Sequence, residues 1–282
     1  MESSAWFPNF ANAKGTEMTN SPWNRRAFLL AAASAITGAA QNPISPRERV
    51  PLFNGRDLTG FYTWLRSSRY EDPQRVFSVR DGLLRITGED WGGLAIKDAY
   101  RDYHLTLEWK WGGRTYEPRL NNARDSGILL HCTGADGARG GIWMESIECQ
   151  IIEGGCGDFI LVDGLNRPSL TVECRTGPDG QHYWHKGGTP VTKDRGRFNW
   201  YGRDHDWKDI LGFRGRQDVE KPAGEWNLSE TICAGDSITN LVNGVVVNRG
   251  AKASHTQGKI MIQSEGAEIF IRRFELAPVT GS

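Results

Sequence analysis

Tyr103-His104-Leu105-Thr106-Leu107-Glu108-Trp109-Lys110-Trp111 decides the fold class. Successive side chains of a strand point to opposite faces, so Leu105, Leu107, Trp109 and Trp111 share one face and His104, Thr106, Glu108 and Lys110 the other. An apolar face of that regularity needs a second layer to cover it. Short runs of the same kind recur on both sides of this stretch. Phe77-Ser78-Val79 leads through Asp81-Gly82 into Leu83-Leu84-Arg85-Ile86, and Asp-Gly between apolar runs marks a hairpin. Ile128, Leu130 and Cys132 alternate in the same way. Ser237–Val242 turns at Asn243-Gly244 into Val245-Val246-Val247, and Gly258–Ser264 turns at Gly266-Ala267 into Glu268–Leu276. No long helical period follows Ala40. The 34 glycines and 11 tryptophans suit tight turns between aromatic-faced strands. The pattern predicts an all-β protein, a two-sheet antiparallel jelly-roll sandwich. Residues 175–224 break the rhythm: apolar runs are few, but Tyr183, Trp184, Phe198, Trp200, Tyr201, Trp207 and Phe213 argue against disorder. They predict a long aromatic-rich loop insertion folded over one mouth of the sandwich.

The 282 residues carry no formal net charge, which argues against a nucleic-acid partner or a polybasic membrane contact. Asn24-Arg25-Arg26-Ala27-Phe28-Leu29-Leu30, followed by an apolar run over Ala31–Ala40, reads as a twin-arginine export signal cleaved after Ala40. That run is short for a membrane span, so no stable membrane insertion is expected once it is removed. Residues 1–17 fit a signal poorly, and Met18 is an alternative start. The organisation expected is an N-terminal extension and signal over 1–40, a polar linker over 41–50 and one domain over 51–278, in a periplasmic or secreted protein. Cys132, Cys149, Cys156, Cys174 and Cys233 match no zinc spacing, and their odd number leaves at least one thiol free. Most sit at apolar strand positions and read as small buried hydrophobes.

Glu148-Cys149-Gln150-Ile151-Ile152-Glu153 places two carboxylates and an amide on a segment that otherwise reads as a buried strand. Glu148 and Gln150 share a face; Glu153 joins them only if a β-bulge shifts the register. Two glutamates on a concave sheet are what acid–base chemistry on a sugar requires, whereas a solvated strand face would carry them idly. His131, in Leu129-Leu130-His131-Cys132, reads either as an electrophile or base facing the same cleft or as a hydrogen-bonded strand histidine. Arg124, before Asp125-Ser126-Gly127, reads as an enolate or hydroxyl ligand or as a loop ion pair. In the long loop, Trp200, Tyr201 and Trp207 could stack on a pyranose while Arg203, Asp204 and the earlier His185 bind hydroxyls; the alternative is a self-packed lid. Glu265, before Gly266, reads as a turn residue.

Several segments in order carry a family resemblance: Leu52-Phe53-Asn54-Gly55-Arg56-Asp57-Leu58, Ser126-Gly127-Ile128, the strand at 145–153, Gly224-Glu225-Trp226-Asn227, Asn243-Gly244, and Gly258-Lys259-Ile260-Met261-Ile262-Gln263-Ser264-Glu265-Gly266. Together they resemble the 3-keto-disaccharide hydrolase domain family over residues 50–278. The resemblance implies a concanavalin-like jelly roll that cleaves 3-keto-glycosides in an exported sugar-oxidation pathway, beside an oxidoreductase that makes the 3-keto sugar. The Glu-x-Gln-x-x-Glu strand is also similar to the Glu-x-Asp-x-x-Glu strand of family 16 glycoside hydrolases, whose flanking glutamates are nucleophile and acid/base. Gln150 departs from that pattern, since an amide carries no charge to set two carboxyl pKa values apart. A 3-keto substrate needs no nucleophile: its C2 proton is acidic, and the enolate expels the C1 substituent. That chemistry assigns Glu148 as base or metal ligand, Glu153 as its partner acid or base, His131 as electrophile, and Gln150 as a hydrogen-bonding residue. A divalent ion would stabilise the enolate, but the sequence has no compact ligand motif and leaves the metal open. Two other readings stand beside this one: a lectin-like carbohydrate-binding module and a family-16-like glucan hydrolase.

Overall fold

The structure is a computed structural model that describes residues 42–279. The expected export signal, the alternative start at Met18 and Gln41 at the head of the linker lie outside the described residues. In chain order the strands are β1 (Val50–Pro51), β2 (Phe61–Leu65), β3 (Phe77–Arg80), β4 (Leu83–Ile86), β5 (Gly92–Ile96), β6 (Tyr103–Thr115), β7 (Asp125–Thr133), β8 (Glu145–Ile152) and β9 (Phe159–Val162). They continue with β10 (Leu170–Thr176), β11 (His182–Trp184), β12 (Thr189–Lys193), β13 (Gly196–Phe198), β14 (Asn227–Ala234), β15 (Ser237–Val242), β16 (Val245–Ala251), β17 (Lys259–Ser264) and β18 (Ala267–Pro278). A seven-stranded sheet runs β13-β9-β8-β7-β17-β5-β2. An eleven-stranded sheet runs β11-β10-β16-β15-β14-β6-β18-β4-β3, with β1 on β18 and β12 on β10. Every strand pairing is antiparallel. The two-sheet jelly-roll sandwich predicted from the alternation is the fold observed.

The alternation of β6 works as expected. Leu105, Leu107, Trp109 and Trp111 point into the sandwich and are at most 2% exposed, meeting Ile128, Leu130, Ile147, Cys149, Ile151, Ile260 and Ile262 of the facing sheet. Burying each of these side chains stabilises the fold by about 1.5–3 kcal/mol. The one polar atom Trp109 brings inside, its Nε1, donates to Ser229 Oγ at 2.9 Å. Asp81-Gly82 and Asn243-Gly244 both have positive φ at each residue (51° and 75°; 50° and 81°), as tight hairpin turns require. All five cysteines are free and buried.

Two expectations need correction. The 175–224 segment is not one loop: β11 and β12 extend the larger sheet and β13 extends the smaller one. These strands are three to five residues long, too short to show a period. The irregular part is confined to residues 199–226. The alternation of β7 also breaks. The register shifts between Leu130 and Thr133, and His131 sits at φ 54°. This bulge turns the His131 ring inward onto Tyr103, at 5.4 Å between centroids, and sends Cys132 to the outer face with Leu129 and Met261. Within the segment expected as a linker, Ile44 forms an isolated bridge to Tyr100.

Candidate active site

The outer face of the seven-stranded sheet follows from the same period-two logic. At one level across the strands lie Gln150 of β8, Gly127 of β7, Gln263 of β17 and Gly93 of β5. At the next level lie Glu148, Leu129, Met261 and Ala95. One level in the other direction lies Asp125, and Glu265 follows Gln263 two residues on. Polar groups therefore occupy one half of the face. An apolar cluster of Leu129, Cys132, Trp143, Met144, Val162 and Met261 occupies the other.

Gly127 is the floor of the polar half. A Cβ there would come within 2.1 Å of Glu148 Oε1 and 2.3 Å of Gln263 Oε1, so both side chains lean over the glycine from opposite sides. Glu148 Oε1, Gln263 Oε1 and Asp125 Oδ1 are buried without a hydrogen-bond partner. Glu148 is 4% exposed, Asp125 5% and Gln263 1%. Three unpartnered oxygens on one face of three adjacent strands are a costly arrangement for a fold and a useful one for a reaction.

The electrostatics separate the carboxyls. Burial pushes the Glu148 pKa well above the usual carboxylate range; Asp125 and Asp158 add to this, and Arg197 opposes it. Burial also raises Asp125, but Arg119 and Arg197 hold it to about 6. Arg119 Nη2 lies 3.3 Å from Asp125 Oδ2. Glu265 is raised well above its ordinary value by burial and by Asp125 and Glu148. Burial and its acidic neighbours thus favour the neutral form of Glu148, while Arg119 and Arg197 favour the charged form of Asp125, an arrangement that suits an acid beside a base. Arg197, on β13 opposite Ile160, supplies positive charge to all three carboxyls and keeps 30% of its side chain exposed. Among the described residues no group of three or more His, Cys, Asp or Glu side chains is placed to hold a metal ion.

Other expected site residues lie elsewhere. β8 ends at Ile152, so no bulge returns Glu153 to the face of Glu148. Its carboxylate is consumed: Oε1 accepts from Arg124 Nη1 at 2.6 Å, and Oε2 accepts from the Arg124 and Gly212 backbone N–H groups at 3.0 and 2.8 Å. Arg124 is accordingly a loop ion pair. His131 faces the interior; its Nδ1 bonds the His255 carbonyl at 2.9 Å, and burial lowers its pKa to about 4. Gln150 does share the Glu148 face, and its own Oε1 accepts from the Ile151 N–H at 3.1 Å.

The aromatic segment is a self-packed lid. Trp200 is 1% exposed, its N–H donating to Asp158 Oδ1 at 2.6 Å. Arg203 ion-pairs with the fully buried Asp158 and lies 4.3 Å over the Trp207 ring, whose Nε1 donates to the Glu153 carbonyl at 2.8 Å. Tyr201 packs edge-on against Trp200, and Asp204 binds Arg216. His185 sits beyond β11 on the other sheet, beside a cavity of 600 Å³, and is not brought to Glu148.

Glu220 anchors the lid to the end of β8 by accepting from the Gly154 N–H at 2.9 Å, but its Oε2 has no partner. Burial raises its pKa to about 8. A carboxyl raised in the folded state contributes stability that is full below its unfolded pKa, about 4.3, and is lost as pH rises through 8. Glu220→Gln is therefore expected to match the wild type in Tm at pH 4 and exceed it at pH 9, by thermal unfolding at both. A lower Tm for the variant at pH 9 would refute this.

A model of the 3-keto-alpha-glucoside-1,2-lyase-like domain matches residues 48–277, most of the chain. The chain belongs to this family. Sequence reading missed four of the residues that the lyase-like domain gathers around Glu148: Asp125, Gln263, Glu265 and Arg197. The signal for the first three was present as period-two spacing, in Asp125-Ser126-Gly127 and Gln263-Ser264-Glu265. Arg197 lies on a three-residue strand and had none.

Several solved structures align with this lyase-like domain at low identity. A provisionally named glycosyl hydrolase from Parabacteroides distasonis ATCC 8503 aligns with TM-score 0.49 and 16% identity over 83% of this chain and 94% of its own. A Bacillus licheniformis beta-glucanase aligns with TM-score 0.41 and 12% identity over 82% and 97%. A Bacillus subtilis carbohydrate-binding module, CBM66, aligns with TM-score 0.43 and 8% identity over 77% and 94%. No curated protein matches the sequence. The chain is a carbohydrate-active jelly-roll protein.

Proposed function

We propose that this protein cleaves 3-keto-glycosides by β-elimination across C1 and C2, followed by addition of water. The observation that carries this reading is a buried Glu148 leaning over Gly127 with an unpartnered oxygen, pushed toward its neutral form by burial and by the neighbouring Asp125, whose own charge Arg119 and Arg197 favour. Asp125 removes the C2 proton, which the neighbouring C3 ketone makes acidic. Arg197 faces the negative charge that develops on the ketone oxygen. The electron pair of the C1–O bond leaves with the glycosidic oxygen, and Glu148 gives that oxygen its proton. The products are a 1,2-unsaturated 3-keto sugar and the free alcohol. Water then adds at C1 to give the net hydrolysis product. Glu148 thus acts as the acid rather than as the base or metal ligand expected from sequence. The cellular setting of this reading is export by the twin-arginine signal, with a sugar oxidoreductase supplying the ketone.

Support comes from family membership, and from Gln150 and the Arg124-bound Glu153 not supplying the second glutamate of a family-16 pair. Incubating the protein with a 3-keto-disaccharide and with its unoxidised parent tests the reading. Cleavage of the keto sugar alone is expected, with the 1,2-unsaturated intermediate trapped at short times; equal cleavage of both would overturn elimination. The rate below pH 6 is expected to fall about tenfold per pH unit as Asp125 takes up its proton, because the base must be ionised. A flat profile between pH 4 and pH 7 would remove Asp125 from that role.

A further inference from the structure

Glu148 Oε1 and Gln263 Oε1 crowd the same point above Gly127, and neither has another partner. Two oxygens that carry only lone pairs cannot satisfy each other, and each buried without a partner costs about 1–3 kcal/mol. A hydrogen between them removes both costs. The surrounding charges decide which group supplies it. Asp125 and Glu265 face Glu148 from β7 and the turn after β17, and Asp158 faces it from the turn after β8. Arg197 approaches from β13, and Arg119 is engaged by Asp125 and Asp209. Adding a negative charge at Glu148 among these carboxyls is unfavourable there, so the hydrogen sits on the carboxyl and the amide oxygen accepts it.

We propose that Gln263 is a positioning residue: its side-chain oxygen accepts the Glu148 O–H, keeps that carboxyl undissociated and aims its proton across the Gly127 floor. This rests on the reading of Glu148 as the acid of the elimination. During leaving-group departure the proton moves from Glu148 to the glycosidic oxygen, the O–H···O contact to Gln263 breaks, and the Glu148 carboxylate is left to reclaim a proton from water. The amide serves where a carboxylate at position 263 would add charge and a methylene would offer no acceptor.

Two substrates separate this role from a merely structural one. A 3-keto-disaccharide expels a sugar alkoxide and depends on the acid; a 4-nitrophenyl 3-keto-glucoside expels a phenolate that needs no proton. Gln263→Met preserves volume and removes the acceptor. Its kcat loss on the disaccharide is expected to exceed its loss on the aryl substrate by about tenfold or more, a part of what general acid catalysis contributes. Gln263→Glu, which restores an acceptor oxygen and shares one proton with Glu148, is expected to recover disaccharide activity relative to Met and to move the alkaline limb of its pH profile upward. Equal losses on both substrates, or no recovery in Gln263→Glu, would overturn the proposal.

An infrared difference spectrum between wild type and Glu148→Gln gives a readout independent of turnover. It should contain a protonated-carboxyl band that shifts in Gln263→Met and in Gln263→Glu. Absence of that band, or a band indifferent to residue 263, also overturns the proposal. Failure of the wild type to cleave either substrate, with the band present and shifting, would instead count against the elimination reading alone.

Discussion

Glu148→Gln is expected to reduce cleavage of a 3-keto-disaccharide on the order of 10²–10⁴-fold while making the protein more stable, not less. Both effects come from one cause. The carboxyl is 4% exposed, has an oxygen without a partner and sits among Asp125, Asp158 and Glu265. Its pKa is raised in the folded state, so its stability contribution is full below about 4.3 and falls as pH rises toward the folded value. An amide of the same shape does not ionise, and its N–H can donate to Gln263. The Tm advantage of the variant should therefore grow between pH 4 and pH 8, at about 2–4 °C for each kcal/mol. Calorimetry at the two pH values, paired with turnover assays, checks it. Retained turnover would remove Glu148 from the chemistry, and a Tm advantage independent of pH would remove ionisation as its source.

Arg203→Met is expected to act in the opposite direction. Arg203 and Asp158 form an ion pair with 4% and 0% of their side chains exposed, and Asp158 also accepts the Trp200 N–H. Removing one member of a buried pair leaves the other charged and poorly compensated, at a cost of about 3–5 kcal/mol. Arg197, 3.5 Å from Asp158 and partly exposed, offsets only some of that. A fall in Tm of about 6–20 °C follows for a domain of this size. The sequence reading gave Arg203 to the substrate. A variant that kept its Tm within about 2 °C but bound substrate poorly would restore that role.

Glu148 and Arg203 mark where the sequence was legible and where it was not. The sandwich was legible because alternation in β6 and the Asp-Gly and Asn-Gly turns are local properties, each written within ten residues. The position of Glu148 was legible for the same reason. Its partners were not, because Asp125, Gln263 and Arg197 meet it through strand order, and β17 reaches β7 from 130 residues away along the chain by a pairing no local pattern encodes. Arg203 and Glu153 look alike in sequence to any sugar-binding arginine or catalytic glutamate. Only the buried Asp158 and the Gly212 N–H reveal them as fastenings. His131 was misplaced by one inserted residue, since a bulge in β7 reverses the face of everything beyond it.

The five sealed cysteines have a practical consequence. None is reachable by a thiol reagent in the folded protein, and no cross-link needs to form for the chain to reach this state. Each becomes a clock for local opening. Cys149 lies on the central strands of the site sheet, Cys233 on the central strands of the opposite one, and Cys174 near an outer edge. Their separate labelling rates would show whether the two layers come apart in a single event or the edge peels first. They would also show whether a ligand over Gly127 slows Cys149 alone or the whole molecule.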